Sequence, residues 1–423
     1  MTPGVYVEEV STGPKPIQAL GTNVAGFVGV APRSDRHVNE VIPINNFGHF
    51  VRVFVDDEHD TTTPPTTPLA TAVFGFFENG GGRCYVVNVG PGGSIGGGRR
   101  EGLNLFEEHE DIALVAAPGY SDFATHRALL DHCGKLKYRV ALLDCPEDIT
   151  WDTLDRLKQP GSAPTARAAR AAEAEGDDED RPRRRASTPP AGFRPPQVDS
   201  GLGAFYFPWI TIKDPLNPKK TLDVPPSGHI AGICARVDTQ RGVHKAPANE
   251  SIRGALNVTY RVTDDEQSGL NDAGVNCIRF LDREGIRVWG ARTVAASASE
   301  WRYLSVRRLF CMIEQSIARG TRWVVFEPND ETLWRSIQRD VSAFLTLCWR
   351  DGALKGATPE QAFFVQCDAE TNPPEVIDAG QVIIKIGICP VKPAEFVIFR
   401  IGQWAGGTEI ETESEGESEN GAE

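Results

Sequence analysis

Ile112-Ala113-Leu114-Val115-Ala116, followed by the segment Phe123 to Cys133 and then by Tyr138-Arg139-Val140-Ala141-Leu142-Leu143, is the stretch that decides the fold. Two short apolar runs flank a segment with helical character. Strand, helix, strand at this separation is a crossover, and a crossover joins parallel neighbours. Cys84 to Val89 (Cys-Tyr-Val-Val-Asn-Val) reads as another buried strand, so a parallel sheet covered by helices is expected in this half of the chain.

Further on, Val306, Phe310, Ile313 and Ile317 mark one helical face stopped by Gly320. Trp323 to Phe326 reads as a strand, and Asn329 or Asp330 can cap the helix after it. In that helix Leu333, Ile337, Val341, Phe344, Leu345 and Cys348 form a single apolar stripe that ends before Gly352. Opposite runs Arg335, Arg339, Ser342, Thr346 and Arg350, which is either a solvated surface or a basic contact face, with Lys355 a further candidate.

The chain has 423 residues, beyond the ~250–300 at which single cores stop growing, so more than one domain is expected. Its 42 Gly and 30 Pro make about 17% of the residues, short of the roughly 25–30% of low-complexity chains, which describes a loop-rich globular protein. The net charge of −14 includes seven glutamates after Trp404, and an acidic balance disfavours a nucleic-acid binder. The start, Met-Thr-Pro-Gly-Val-Tyr-Val, lacks a basic segment followed by an apolar one, and no apolar run reaches the ~18 residues of a membrane helix, so neither export nor membrane insertion is expected.

Nine cysteines without any CxxC spacing read as reduced, mostly buried thiols of a cytosolic protein. His126, His132, Cys133 and Cys145 fit no standard zinc spacing and read as helix and core residues, so no metal or cofactor is expected. From Pro160 to Ser200 the chain is Ala/Arg-rich, then acidic, then basic at Arg181 to Arg185, then Pro-rich. Such a stretch cannot offset the entropy of ordering and reads as a surface insertion. Residues 405–423 read as a disordered acidic tail.

Both ends hold strands that look orphaned, and the N-terminal one has no hairpin partner nearby. Val5, Tyr6, Val7 and Val10 lie in a strand-like run between Pro3-Gly4 and Gly13-Pro14. Gln381 to Cys389 reads as a strand, Pro390 to Pro393 as a turn, and Glu395 to Ile401 as a last strand whose Phe396, Val397, Ile398, Phe399 and Ile401 make it apolar on both faces. These ends pair either within their own subunit or, as extended arms, with sheet edges on neighbouring subunits.

The same ends carry a family resemblance. Pro3 to Glu9 with Gly21 to Gly29, Gly80 to Val87, Asn276 to Thr293, Val325 to Trp334, Gly356 to Asp368 and the Phe396 to Ile401 strand resemble, in collinear order, the contractile tail sheath proteins of myophages and phage-tail-like injection particles. The resemblance spans the chain apart from roughly 160–200 and the acidic tail. It implies an α/β and α+β multidomain protein, with a mixed-sheet sheath core domain, an inserted outer domain and extended terminal strand arms. The segments expected are an N-terminal arm at 1–20, core at 21–83, an outer domain at 84–245 carrying the insertion 160–200, a tube-facing core at 246–390, an arm strand at 391–404 and the tail at 405–423.

As function the resemblance implies a structural subunit that polymerises with itself as stacked hexameric rings around an inner tube protein, meets baseplate and terminal cap proteins, and contracts to drive the tube through an envelope. Assembly is expected in the bacterial cytoplasm, within a phage-tail-like injection particle or, alternatively, a contractile-tailed bacteriophage. In this reading Arg335, Arg339, Arg350 and Lys355 face the tube.

An enzyme is the rival class, because family sheaths contain a region named subtilisin-like from its fold. Gly90 to Arg99 resembles a phosphate loop but lacks the Lys-Ser/Thr pair that reaches phosphate and magnesium. Ser94 and Ser227-Gly228-His229 are the serines in suggestive contexts, and neither matches a subtilase nucleophile motif, so no catalysis is expected.

Overall fold

The computed structural model describes residues 16–56, 62, 64–161 and 192–398. Nine strands form one mixed sheet: β1 (Ala25–Gly29), β2 (Val41–Ile44), β3 (Cys84–Asn88), β4 (Leu114–Ala116), β5 (Val140–Asp144), β6 (Gly203–Phe207), β9 (Glu250–Ser251), β11 (Val275–Leu281) and β12 (Gly285–Val288). Their order is β2-β3-β1-β4-β5-β6-β11-β12-β9. The pairs from β3 through β11 are parallel, whereas β2, β12 and β9 add antiparallel at the two sides. Every residue of β1, β3, β4, β5 and β6 is buried, as expected for strands covered on both faces.

The deciding stretch folds as read. The helix α3 (Phe123–Leu136) carries the chain from β4 to β5, which are parallel neighbours. Arg139, the one charge in that apolar run, is fully buried. Its guanidinium donates to the carbonyls of Ile112 at 3.0 Å, Phe106 at 2.7 Å and His109, and so ties the start of β5 to the turn-rich segment before β4.

The covering helices include α1 (Phe47–Phe54), α2 (Pro68–Glu78) and, past β6, α4 (Ser227–Arg241), with the short α5 (Asp264–Asp272) leading into β11. The helices α2 and α4 cross in close contact because glycines lie between them. A Cβ on Gly228 would stand 2.3 Å from the Ala72 Cα and 2.4 Å from its carbonyl oxygen. Backbone cannot yield as a side-chain tip can, so Gly228→Ala is expected to cost about 3 kcal/mol, at the upper end of overpacking. A urea midpoint unchanged from wild type would show that the two helices can slide apart instead.

The sheet takes β1 and β2 from 21–83, β3 to β6 from 84–245, and β9, β11 and β12 from 246–390, so it runs through the boundaries placed at 83/84 and 245/246. Composition changes along the chain mark loops, whereas the sheet is closed by pairing between distant segments. A satellite sheet is formed by β7 (Ile210–Lys213), β8 (Thr221–Val224) and β10 (Ala255–Val258), in the order β10-β7-β8. The insertion is also narrower than 160–200. Gly161 N donates to Arg194 O at 2.6 Å, Phe193 lies 3.7 Å from the Arg156 guanidinium and Arg194 donates to Ala273 O at 3.0 Å, so both ends of the insertion are clamped.

A second apolar cluster is built by α6 (Leu304–Gly320), α7 (Glu331–Arg350), β13 (Phe363–Gln366) and β14 (Lys385–Ile388). The expected stripe of α7 is buried at each of its six positions. The segment 323–326 departs from expectation: it forms a short 3-10 turn at Arg322–Val324 and then a reverse turn, with no strand partner among the described residues. Its β-branched and aromatic residues suit a strand, but the tight link between two packed helices prevails.

The chain through Pro393 forms one unit, and Ala394–Glu423 forms another. Of the second unit Ala394 to Ile398 is described. Phe396, Val397 and Ile398 are 70%, 71% and 82% exposed. The tail 405–423 lies outside the described residues.

Candidate assembly interface

Asp330 starts α7 by accepting from Leu333 N at 2.8 Å, and the helical period sets the arginine stripe opposite the buried one. Arg335 pairs with Glu331 at 2.9 Å one turn earlier, and Arg339 Nε meets Asp340 Oδ1 at 3.1 Å. Arg350 and Lys355 are exposed, with no side-chain partner among the described residues. The free positive charge of this face therefore sits at its C-terminal end, which the spacing of the arginines alone does not reveal.

Next to α7, β13 and β14 pair antiparallel from Phe363↔Ile388 to Gln366↔Lys385, and neither has another strand neighbour among the described residues. The strand expected over Gln381 to Cys389 is formed only at Lys385–Ile388. Before it, the buried Asn372 side chain takes the place of a neighbouring strand, accepting from Ile383 N at 2.7 Å and donating to Ile383 O at 3.2 Å. After it, Cys389 O accepts from Lys355 N at 2.8 Å, so the chain leaves alongside Ala353 to Lys355. A two-stranded ribbon with open edges is a template for further strands.

Of the terminal strand residues, Phe396, Val397 and Ile398 are described and form no strand. A strand needs a neighbour to bond, and this segment has none among the described residues. Val5, Tyr6, Val7 and Val10, with Phe399 and Ile401, lie outside the described residues.

The serines of the rival reading have ordinary structural partners. Ser227 is buried at the start of α4; its N donates to Asp144 Oδ1 at 2.9 Å and its Oγ to Asp144 Oδ2 at 2.6 Å. Asp144 thus caps a helix, and burial pushes its carboxyl up to about 6. His229 is also buried, and neither ring nitrogen has a partner among the described residues, so this imidazole does not contact Ser227. Ser94 is exposed and accepts from Gly97 N at 3.3 Å within its turn. His126 Nε2 lies 3.1 Å from Asp144 O, and His132 Nε2 lies 3.0 Å from Arg139. Eight of the nine cysteines are buried and all are free thiols.

Sequence reading missed the buried ion pair that anchors the N-terminal segment. Arg308 meets Asp238 at 2.5 Å with both side chains buried, Thr22 Oγ1 donates to Asp238 and Thr22 O accepts from Arg308. Burial works against the Arg308 charge, and Asp238 beside it overcomes that and raises its pKa. Residues this far apart in sequence leave no periodic signal.

A subunit with open strand edges, an exposed apolar terminal segment and no convergent nucleophile, base and carboxylate among its described residues has the properties of a self-assembling structural protein. Residues 197–294 match the phage tail sheath protein central domain, and residues 296–403 match the phage tail sheath C-terminal domain. The tail sheath protein of Vibrio phage KVP40 is 30% identical over 178 residues, 41% of this chain and 26% of that protein. The tail sheath protein of Burkholderia phage BcepMu is 29% identical over 214 residues, 49% of this chain and 43% of that protein. The matched segment thus spans about a quarter to less than half of these relatives' length. Among solved structures, the sheath complex of an extracellular contractile injection system, PVC, in its contracted state has a TM-score of 0.74 at 29% identity, covering 96% of this chain and 98% of that one. The contracted helical sheath of the anti-feeding prophage gives 0.71 at 29% identity, covering 95% and 99%. The chain belongs to the contractile tail sheath family.

Proposed function

We propose that the chain polymerises as stacked hexameric rings around an inner tube and contracts to drive that tube through a target envelope, within a phage-tail-like injection particle. The observation that carries this reading is the end-to-end similarity, at 29% identity, to the sheath of a contractile injection system. The role is structural, with no catalytic step. The inner tube protein is one partner, and baseplate and terminal cap proteins bound the polymer. The 246–390 segment faces the tube and the middle of the chain faces outward. Negative-stain microscopy of the particles is expected to show ringed sheaths without capsids. Capsids on the same particles would move the assignment to a bacteriophage tail, and a chain that stays monomeric at every concentration would end the sheath reading.

The basic face of α7 is the proposed tube contact. Its arginines and Lys355 are exposed, and exposed pairs contribute about 0–1 kcal/mol each, which suits contacts that contraction must break together. Because Arg335 and Arg339 already have acidic partners, Arg350→Glu with Lys355→Glu is expected to loosen the sheath from its tube more than Arg335→Glu with Arg339→Glu. Particle counts of empty or prematurely contracted sheaths measure this. Normal extended particles from both double variants would place the tube contact elsewhere.

A further inference from the structure

The link between α6 and α7 places a bulky side chain where the backbone resists one. Glu327 N donates to Val324 O at 3.1 Å, Val325 has φ −65° and ψ 125°, and Phe326 has φ +71°. These are the angles of a type II turn, whose third residue is normally glycine or asparagine because a side chain is crowded there. Phe326 occupies that position with its side chain fully exposed, beside a 65% exposed Val325. The phenyl group adds nothing to either core. A strained turn that displays a solvated aromatic has the character of a contact residue.

At the other end of the same helix pair a cavity of about 420 Å³ opens between the N-terminal segment, the end of α4, the first half of α6 and the end of α7. Leu20, Val243, Leu309 and Met312 supply the apolar part of its lining, and Thr239, Gln240, His244, Arg241 and Asp351 the polar part. The volume is that of a small-ligand pocket and holds an aromatic ring. Since α7 has twenty residues, about 30 Å of helix separates Phe326 from this cavity. The charges also match. Glu327 and Arg241 are both exposed, and neither side chain has a partner among the described residues.

We propose that Val325-Phe326-Glu327 of one copy docks into this cavity of the next copy, with the phenyl ring inside and Glu327 against Arg241. The two halves lie at opposite ends of one helical hairpin, so a single chain cannot satisfy its own contact. The interface is therefore head-to-tail, and repetition of such a contact gives a ring or an open helical array. The inference rests on the self-assembly proposed above.

Phe326→Gly separates this contact from folding, because glycine relieves the turn. The variant is expected to keep or raise the subunit's Tm while its polymerised fraction, read by sedimentation and negative-stain microscopy at a concentration where wild type assembles, falls at least tenfold. Arg241→Glu and Glu327→Arg, both surface changes, are each expected to reduce assembly, and their combination to restore it. Wild-type assembly by Phe326→Gly, or failure of the charge exchange to restore it, would overturn the docking and leave the sheath reading intact. A wild-type chain that never assembles would overturn both.

Discussion

Removal of residues 1–12, or proline at both Val7 and Ile398, is expected to give subunits that fold with wild-type Tm and do not polymerise. The reason lies in the ribbon of β13 and β14 and in the exposed run Phe396-Val397-Ile398, which together leave strand edges and apolar side chains unpaired among the described residues. Arms added to such edges on neighbouring subunits gain about 0.5–1.5 kcal/mol net per backbone hydrogen bond and roughly 1.5–3 kcal/mol for each side chain that becomes buried, Val5, Val7, Phe396 and Ile398 among them. The cost of ordering the arm offsets part of this, so one link is moderate and the strength of the mesh comes from repetition. Proline removes a donor and closes the edge to pairing. Sedimentation and microscopy of the purified variants decide this, and sheaths of normal length from either one would remove the strand-exchange account.

Acid is expected to unfold the subunit between pH 6.5 and about 4. Burial pushes the imidazoles of His126, His132 and His229 down to about 4, with the Arg139 charge adding to the effect at His132. In the unfolded chain each titrates near 6.5, so over this window the unfolded state binds more protons. The stability is complete above pH 6.5 and is lost as pH falls toward 4, by about 3 kcal/mol for each histidine. Asp144 acts in the opposite sense. Its carboxyl, raised by burial to about 6, takes up its proton in the folded state first and returns about 3 kcal/mol over nearly the same window. The balance is a loss of roughly 6 kcal/mol, comparable with the whole stability of many domains. Denaturant midpoints at pH 7 and pH 4.5 measure it, and equal midpoints would refute the account. His229→Leu, which removes one titration and a ring with two unpartnered nitrogens, is expected to reduce the loss by about 3 kcal/mol.

What local pattern encodes was legible in the residues themselves. The β4-α3-β5 crossover follows from apolar runs either side of a helical segment, and the buried face of α7 follows from its spacing, because side-chain direction within one element depends only on helical or strand period. The acidic balance disfavoured a nucleic-acid binder, the terminal strands left pairing within the subunit or with neighbours open, and the collinear resemblance to contractile tail sheath proteins pointed to an assembling structural protein. Pairing between distant segments decided the rest. That β1 lies between β3 and β4, that one sheet crosses the boundaries expected at 83/84 and 245/246, and that Asp238 meets Arg308 are products of contacts between residues tens or hundreds of positions apart, which leave no local period. The exposed Phe326 was hidden for a related reason. Trp323 to Phe326 has the composition of a strand, and only the packing of α6 against α7 forces it into a turn that sets the ring in solvent.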